Sequence, residues 1–267
     1  MMNLDLTQAL SAANSAAQAG RQVLLEYFGR LKKVQEKAQA GLVSEADIES
    51  EKVITRELQA RFPSVPVLGE EGAYASRDEH AQATSWVVDP LDGTTNYVHG
   101  FPIFCISIGL QWEGELVVGV VDVPILNKTY CAAKGQGAFA NGEPLRVRQQ
   151  NTLKDALLAT GFIPDNPEAL KTQLKIFSSL VYEARGVRRA GAAAYDLCMV
   201  AEGVFDAFWE PNLKPWDAAA GAVLVREAGG VCWTYSGRDY RLGDNTILAG
   251  NKQICSVISQ RIQALEP

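Results

Sequence analysis

The hydrophobic positions at the start of the chain follow a helical period. Between Leu4 and about Gly29, apolar residues such as Leu10, Ala17 and Leu24 recur at the spacing of one helix face. Gly29 is a suitable stop, because glycine is favoured just after the last turn of a helix. The pattern predicts one long amphipathic helix.

A second helix is predicted from Ser44 to Phe62. The letters S-E-A-D at its start match the capping box, in which the first and fourth residues bind each other's backbone amides. Pro63 then ends the helix, because proline cannot continue the hydrogen-bond ladder. In this interpretation Asp47 is no more than the acid of the capping box.

The middle of the chain is rich in short apolar runs with β-forming residues. Glu113-Gly114 and Asn141-Gly142 are turn signals that separate consecutive runs, so the sequence predicts an antiparallel meander. The runs are WVVD at Trp86 to Asp89, IFCISIGLQ from Ile103, ELVVGVVDV from Glu115 and KTYCAAK from Lys128.

After about Asn151 predicted strands alternate with predicted helices, which favours a layered α/β arrangement. No internal repeat or Pro/Gly/Ser-rich linker interrupts the chain. We therefore expect an α+β half over 1–150 and an α/β half over 151–267, packed as one unit of helices on two sheets. The alternating segments are ALLAT, a helix from Pro167 to Tyr182, GVRRAG, an Ala-rich helix, FDAFWE, a helix after Trp216, GGVCWTY, ILAG and a C-terminal helix.

Charge and composition exclude some classes of partner and cellular location. The 267 residues carry a formal net charge of -6, which is the wrong sign for a nucleic-acid partner. An anionic substrate would therefore need bound cations to invert the local field. The five cysteines are odd in number and scattered, as expected of reduced thiols in the cytoplasm. The sequence shows neither a secretory signal nor an apolar stretch of membrane-spanning length.

The acidic segment D-P-L-D-G-T-T-N follows the apolar run ending at Val88. Its two carboxylates, Asp89 and Asp92, could meet a hard cation together with the carbonyl of Leu91, while the amides after Gly93 could hold a phosphate. The alternative is a solvated turn in which each aspartate bonds its own backbone. Taken alone, this segment fits the turn better.

Further acidic residues also follow a predicted strand or open a predicted helix. Glu70 and Glu71 follow a short apolar run, and Asp217 opens a helix; taken separately, these are a solvated pair and an N-cap. Together with Asp47 they describe an oxygen-ligand site for Mg²⁺, because the chain has only two histidines and no paired cysteines. The G-x-S-x-G, Walker A and dinucleotide-binding patterns are all missing from the sequence.

In this order the segments GEEG, WVVDPLDGTTNYVHG and PWDAAAGAVLVREAGG closely resemble the inositol monophosphatase family over nearly the whole chain. The resemblance implies an αβαβα five-layer sandwich of the sugar phosphatase type, a homodimer, and two or three Mg²⁺ ions per subunit. It also implies lithium-sensitive hydrolysis of inositol-1-phosphate or a related small polyol or sugar phosphate, with water rather than a side chain as the nucleophile.

The resemblance further implies a role for each matching residue. Thr94, hydrogen-bonded to Asp47, would orient the attacking water together with Glu70. Glu71 would act through a water molecule. The metal ligands would be Glu70, Asp89, Asp92, Asp217 and the Leu91 carbonyl, the amides of Gly93, Thr94 and Thr95 would hold phosphate oxygens, and Ala193 and Glu210 would meet the polyol.

Other assignments stay open. Glu210 could equally be a solvated loop residue, Lys37 resembles a loop lysine that approaches the metals, and Arg188 and Arg189 could meet a second phosphate or be exposed strand residues. Fructose-1,6-bisphosphatase, histidinol-phosphatase and 3′-phosphoadenosine 5′-phosphate phosphatase share the motifs and differ in the pocket formed by residues 160–195 and 208–215. A non-catalytic interaction protein is the alternative from another functional class.

Overall fold

A computed structural model describes residues 4–36, 42–72, 82–162 and 166–265. Lys37 and His80 lie outside the described residues. Two long helices open the chain, as predicted, and Asp5 and Ser44 cap them. The first half contains α1 (Leu6–Tyr27), β1 (Val34–Glu36), β2 (Leu42–Ser44), α2 (Glu45–Arg61), β3 (Val67–Gly69), β4 (Ser85–Asp92), α3 (Thr94–Val98), β5 (Cys105–Trp112), β6 (Glu115–Val123), β7 (Lys128–Ala133), β8 (Gly137–Ala140) and β9 (Glu143–Pro144).

The second half alternates between strands and helices, as predicted. A 3₁₀ turn at Leu153–Asp155 precedes it. Its elements are β10 (Leu157–Thr160), α4 (Pro167–Val181), β11 (Gly186–Arg188), α5 (Ala193–Ala201), β12 (Ala207–Pro211), α6 (Pro215–Glu227), β13 (Val231–Trp233), β14 (Thr246–Gly250) and α7 (Lys252–Leu265).

The first sheet has seven strands in the order β3-β4-β5-β6-β7-β8-β9. From β4 to β9 the strands are antiparallel neighbours, which confirms the meander, whereas β3 adds a parallel edge strand. Glu113, Gly114, Asn141 and Gly142 all have positive φ. These are the dihedrals of tight hairpin turns whose twist matches that of the paired strands.

The second sheet has five strands in the order β11-β10-β12-β14-β13. Strands β11, β10 and β12 run parallel, and β14 and β13 complete the sheet with antiparallel pairing. Among the described helices, none has the length and apolar character that a membrane span requires.

Helices and sheets alternate in five layers, with buried hydrophobic residues on both faces of each sheet. Helices α1 and α2 pack on one face of the seven-stranded sheet, where Ala13, Ile54 and Trp86 belong to one buried hydrophobic cluster. Helices α5 and α6 lie between the two sheets, and α4 and α7 cover the outer face of the five-stranded sheet. This arrangement confirms the predicted αβαβα sandwich. The division of the chain near residue 150 stays a prediction.

Helix α6 approaches the seven-stranded sheet unusually closely. Gly109 and Gly119 face each other in register on β5 and β6. A Cβ atom at Gly109 would lie 2.6 Å from the Ala219 Cβ, and one at Gly119 would lie 2.4 Å from the Ala220 carbonyl oxygen. The small residues on both sides therefore allow the contact, which fixes the position of the α6 N-terminus and of Asp217.

The acidic segment after Val88 differs from the prediction. The sequence indicated a strand ending at Asp89, but β4 continues to Asp92. Asp89 pairs with Ser107 and Asp92 with Cys105, so three steps along β4 face two along β5. This is a β-bulge, which inserts one extra residue into a strand and turns its side chains.

Candidate active site

Four predicted metal ligands form one electrostatic cluster. Burial raises the pKa of Asp89 well above its ordinary value, and the charges of Glu70, Asp92 and Asp217 raise it further. Asp89 is also hydrogen-bonded to Glu70. The sequence separates the first and last of these residues by more than a hundred positions, and the five-layer fold brings them together.

The bulge in β4 points its two aspartates to different partners. Asp89 Oδ1 accepts a hydrogen bond from the Leu91 amide at 2.9 Å. Asp92 Oδ2 accepts one from the Ala194 amide at 2.7 Å, and its Oδ1 lies 3.3 Å from the Ala193 amide. Burial raises the pKa of Asp92 to about 6, although these amides at the start of α5 oppose the shift. Asp92 thus caps a helix that has no side-chain cap of its own.

Asp217 lies in the first turn of α6 but is not its N-cap, which is Lys214, so the N-cap expectation is wrong by three residues. It is the third residue of α6, and its Oδ2 accepts a hydrogen bond from the Lys214 amide at 2.8 Å, as a capping residue would. Burial and the charges of Asp92 and Glu70 raise its pKa well above the ordinary value. The same carboxylate therefore starts the helix and faces the other acids.

Asp47 is the acid of the capping box at the start of α2, as the sequence predicted. Its Oδ2 accepts hydrogen bonds from the amide and the hydroxyl of Ser44, at 2.8 and 2.5 Å. Its Oδ1 lies 3.0 Å from Thr94 Oγ1, which is also 3.0 Å from the Leu91 carbonyl oxygen. The predicted pair of Thr94 and Asp47 is thus at hydrogen-bond distance, and the fully buried Asp47 fixes the Thr94 hydroxyl.

Gly93 provides the turn between the bulge and α3. Its φ of +93° lies in the left-handed region, which disfavours every residue with a side chain. The first amides of α3, at Thr94 and Thr95, have no acceptor within the helix, as in the first turn of any helix. Asn96 ties this turn to the second half, because its Nδ2 donates to the carbonyl oxygens of Ile103 at 2.7 Å and Ala190 at 2.8 Å.

A cavity of about 160 Å³ adjoins the acids. The predicted substrate residues Ala193 and Glu210 line it, so the structure places them beside Asp92 and Asp217. The full lining consists of Asp92, Thr160, Gly161, Arg189, Gly191, Ala192, Ala193, Asp196, Glu210, Leu213 and Asp217.

The far wall of the cavity carries acids and one cation. Burial raises the pKa of Glu210 to about 8, Asp92 adds to the shift, and the Arg189 guanidinium opposes it. Gly161 lies directly against this carboxylate, since a Cβ there would be 2.1 Å from Glu210 Oε1. Arg188 on β11 and Arg189 are both exposed, and of the two only Arg189 lines the cavity.

Sequence reasoning missed several residues of the site. Asp196 lines the cavity, is almost fully buried, and its Oδ1 has no hydrogen-bond partner among the described residues. Burial, Glu210 and Asp92 raise its pKa well above the ordinary value. Its position in the first turn of α5 was the available signal. Asn96 was visible only as part of the D-P-L-D-G-T-T-N motif.

Glu51 is the second acid that sequence reasoning missed. It lies on α2, and its carboxylate accepts hydrogen bonds from the amides of Glu71 and Gly72, both at 2.8 Å. Residues 70–72 are helical and follow β3 directly, so Glu51 holds the segment that carries Glu70 and Glu71. No local signal marked this residue in the sequence.

The donor set suits a hard cation. Its side chains offer only oxygen, and the mutual repulsion that raises the pKa of Asp89 is what a cation would relieve. In the part of the chain that the structure describes, no group of three or more His, Cys, Asp or Glu side chains is arranged to hold a metal ion as it stands.

Comparisons with known proteins identify the family of the chain. A sequence model described as the inositol monophosphatase family matches residues 5–265. A fructose-1,6-bisphosphatase/inositol-1-monophosphatase from Aquifex aeolicus is 44% identical, with 96% of each chain covered. The Nus factor SuhB from Pseudomonas aeruginosa is 40% identical, with 95% of each chain covered. The solved structure of a Thermotoga maritima IMPase superposes with a TM-score of 0.87 at 31% identity, over 96% of this chain and 97% of that one.

Proposed function

The chain belongs to the inositol monophosphatase family and is a phosphatase, and on this premise we propose that it hydrolyses inositol-1-phosphate or a related small polyol or sugar phosphate with Mg²⁺. The observation that carries the proposal is the cluster of Glu70, Asp89, Asp92 and Asp217, next to a cavity large enough for a small ligand. We assign these four carboxylates and the Leu91 carbonyl to the metal ions, with Glu71 acting through a water molecule.

When bound, Mg²⁺ would neutralise phosphate charge and lower the pKa of the attacking water. This chemistry suits a chain of net charge -6, because phosphate would otherwise be repelled by the carboxylates. The slowness of uncatalysed phosphate monoester hydrolysis, which calls for accelerations of up to about 10²¹-fold, also favours charge stabilisation over a weak general base.

The protein's own residues would orient the water and the ester. Asp47 accepts the hydrogen bond of the Thr94 hydroxyl, so a lone pair of Thr94 Oγ1 remains that could accept a hydrogen bond from water. Glu70 lies beside Asp89 and would hold the same water. We assign the phosphate oxygens to the amides of Gly93, Thr94 and Thr95.

The polyol would occupy the cavity. Glu210 faces it and could accept hydrogen bonds from substrate hydroxyls once ionised, while the Ala193 amide lies at the same wall. Because Ala193 N is 3.3 Å from Asp92 Oδ1, its bond to the carboxylate is long, and a substrate hydroxyl could join it.

A sugar bisphosphate is the second candidate substrate. Arg189 lines the cavity and provides a cation for another phosphate. The name of the Aquifex relative includes fructose-1,6-bisphosphatase, which supports testing this class. A homodimer, a cytoplasmic location and lithium inhibition also belong to the proposal, as the resemblance implies.

Phosphate release tests the proposal. Inositol-1-phosphate, fructose 1,6-bisphosphate, histidinol phosphate and 3′-phosphoadenosine 5′-phosphate are each supplied with Mg²⁺, with Mg²⁺ and Li⁺, and with a chelator. We expect Mg²⁺-dependent release that lithium inhibits. Asp89→Asn should abolish release, and the exposed Asp155→Asn, whose carboxylate pairs with Arg185, is the matched control. Equal release with and without divalent metal would refute the metal assignment.

A further inference from the structure

We propose that Glu51 is a positioning residue that fixes Glu70 and Glu71 at the site and thereby sets the affinity for the divalent cation. The inference rests on the proposed metal-dependent function and adds to it a residue that holds the backbone rather than the ion. The acidic ligands come from separate elements, so each needs its own support. For the segment at residues 70–72, that support comes from α2.

The Glu51 carboxylate uses both of its oxygens on this segment. Oε2 accepts the hydrogen bond of the Glu71 amide and Oε1 that of the Gly72 amide, both at 2.8 Å. Residues 70–72 begin a helical segment, whose first amides have no acceptor within the helix. A carboxylate at this end is a charge-assisted partner, and such bonds are about twice as strong as neutral ones.

Gly69 shows how closely the carboxylate is seated. A Cβ atom on Gly69 would lie 2.3 Å from Glu51 Oε2 and 2.4 Å from its Cδ, so it would displace the carboxylate from this position. The backbone of Gly69 is not in the left-handed region, and alanine would fit its dihedral angles. A side chain at position 69 would therefore disturb the Glu51 carboxylate and not the backbone conformation.

Helix α2 supports the rest of the site in the same way. Asp47, Ser50 and Glu51 are spaced by three and four residues and thus share one face of the helix. Asp47 binds the Thr94 hydroxyl, and Ser50 Oγ donates to the Pro90 carbonyl oxygen at 3.0 Å. One helix face therefore positions both the bulge in β4 and the segment after β3.

Two variants remove the contact from opposite sides. Glu51→Gln keeps the shape of the side chain but turns an amide NH₂ toward one of two backbone N–H donors, so one hydrogen bond is lost. Gly69→Ala displaces the Glu51 carboxylate while leaving every charge in place. Glu49→Gln is the matched control, because Glu49 lies on α2, is half-exposed and pairs only with Lys52 among the interactions described.

Calorimetric titration of the metal-free protein with Mg²⁺ measures affinity without turnover. Partners that orient metal ligands are typically worth about 10–100-fold in affinity, so we expect that loss in both single variants and none in the control. Because both variants break the same contact, the double variant should be little worse than either single one. Losses that multiply in the double variant, or wild-type affinity in Glu51→Gln, would overturn the inference.

Hydrogen exchange of the peptide containing the Glu71 and Gly72 amides gives a second readout, independent of any metal. Faster exchange is expected in Glu51→Gln and Gly69→Ala, with unchanged exchange in Glu49→Gln. If the wild-type protein binds no Mg²⁺, the proposed function fails, and exchange alone then decides whether Glu51 holds the segment. Unchanged exchange in both variants would overturn that role, and Gly69→Ala serves if Glu51→Gln does not fold.

Discussion

A pair of rescue experiments tests the close approach of α6 to the seven-stranded sheet. Gly119→Ala would place a Cβ 2.4 Å from the Ala220 carbonyl oxygen, about 1 Å inside ordinary van der Waals contact. The obstacle is backbone, so the helix must move. Overpacking costs about 1–3 kcal/mol, and we expect the upper end of that range, a fall of about 6–12 °C in the thermal midpoint.

Gly109→Ala meets a different obstacle, the Ala219 Cβ at 2.6 Å. Ala219→Gly removes that atom and leaves contacts of 3.2 Å, so the double variant should recover stability, apart from about 1 kcal/mol of lost helix propensity. Ala220→Gly should not rescue Gly119→Ala, because the clashing carbonyl remains. Equal rescue in the two pairs would refute this account.

The same experiment links packing to activity. Asp217 lies in the first turn of α6, so a helix shift of about 1 Å moves the carboxylate with it. Displacements of this size can cost about 100-fold in rate. Thermal unfolding of the metal-free protein and phosphate release at saturating Mg²⁺ measure the two effects. A Gly119→Ala protein with normal kcat would show that the Asp217 carboxylate does not move with α6.

Three further predictions follow from buried carboxylates. Arg21→Ala leaves the buried Asp122 without the cation 3.1 Å away, and should lower the free energy of unfolding by about 3 kcal/mol at pH 8. Burial already raises the pKa of Asp122, so the native state holds the proton of this carboxyl group more tightly than the unfolded chain does. The stability lost in Arg21→Ala should therefore be smaller at pH 5 than at pH 8 when it is measured by urea titration. Equal losses at the two pH values would contradict this. Asp89→Asn removes one of several repelling charges and keeps the acceptor for the Leu91 amide, so the metal-free variant should be about 1–2 kcal/mol more stable at pH 7.5 although inactive. A lower stability of Asp89→Asn than of the wild type, measured by urea unfolding, would contradict this prediction. Gly161→Ala should displace the Glu210 carboxylate and raise KM about tenfold with Mg²⁺ affinity unchanged in calorimetry; an unchanged KM would exclude Glu210 from substrate binding.

Local signals predicted most of the fold. Helix α2 was visible because its capping residues and its terminating proline lie within the helix or beside it. The hairpin turns were visible because Asn141 and Gly142 tolerate positive φ. The pairing of β1 with β2 was not predicted, since strands of three residues carry too little periodicity to be recognised. The bulge in β4 was missed because its register depends on the partner strand.

The same distinction applies to the site. Motifs marked the acids that face one another, but the residues that support them depend on distant contacts. Glu51 and Gly72 are 21 positions apart, and Asn96 and Ala190 are 94 apart. Glu51 looks like any charged residue of an amphipathic helix, and Asp196 like an ordinary acid in a first helical turn. The groups that surround Glu51 and Asp196 come together only when the layers of the fold pack.

For Asp47 and Asp217 the sequence offered two alternatives, a helix cap or an acid of the site. The two roles are compatible, because a carboxylate has two oxygens. Asp47 gives one oxygen to the Ser44 amide and the other to Thr94, and Asp217 gives one to the Lys214 amide. Amides at helix starts favour the charged form, and those bonded to Asp92 and Asp217 oppose the rise in pKa that burial causes. The helix caps therefore help to keep negative charge in a buried cluster where the acids repel one another. If the cluster binds a cation, as proposed, that charge favours binding, and the capping bonds would then support the site as well as the fold.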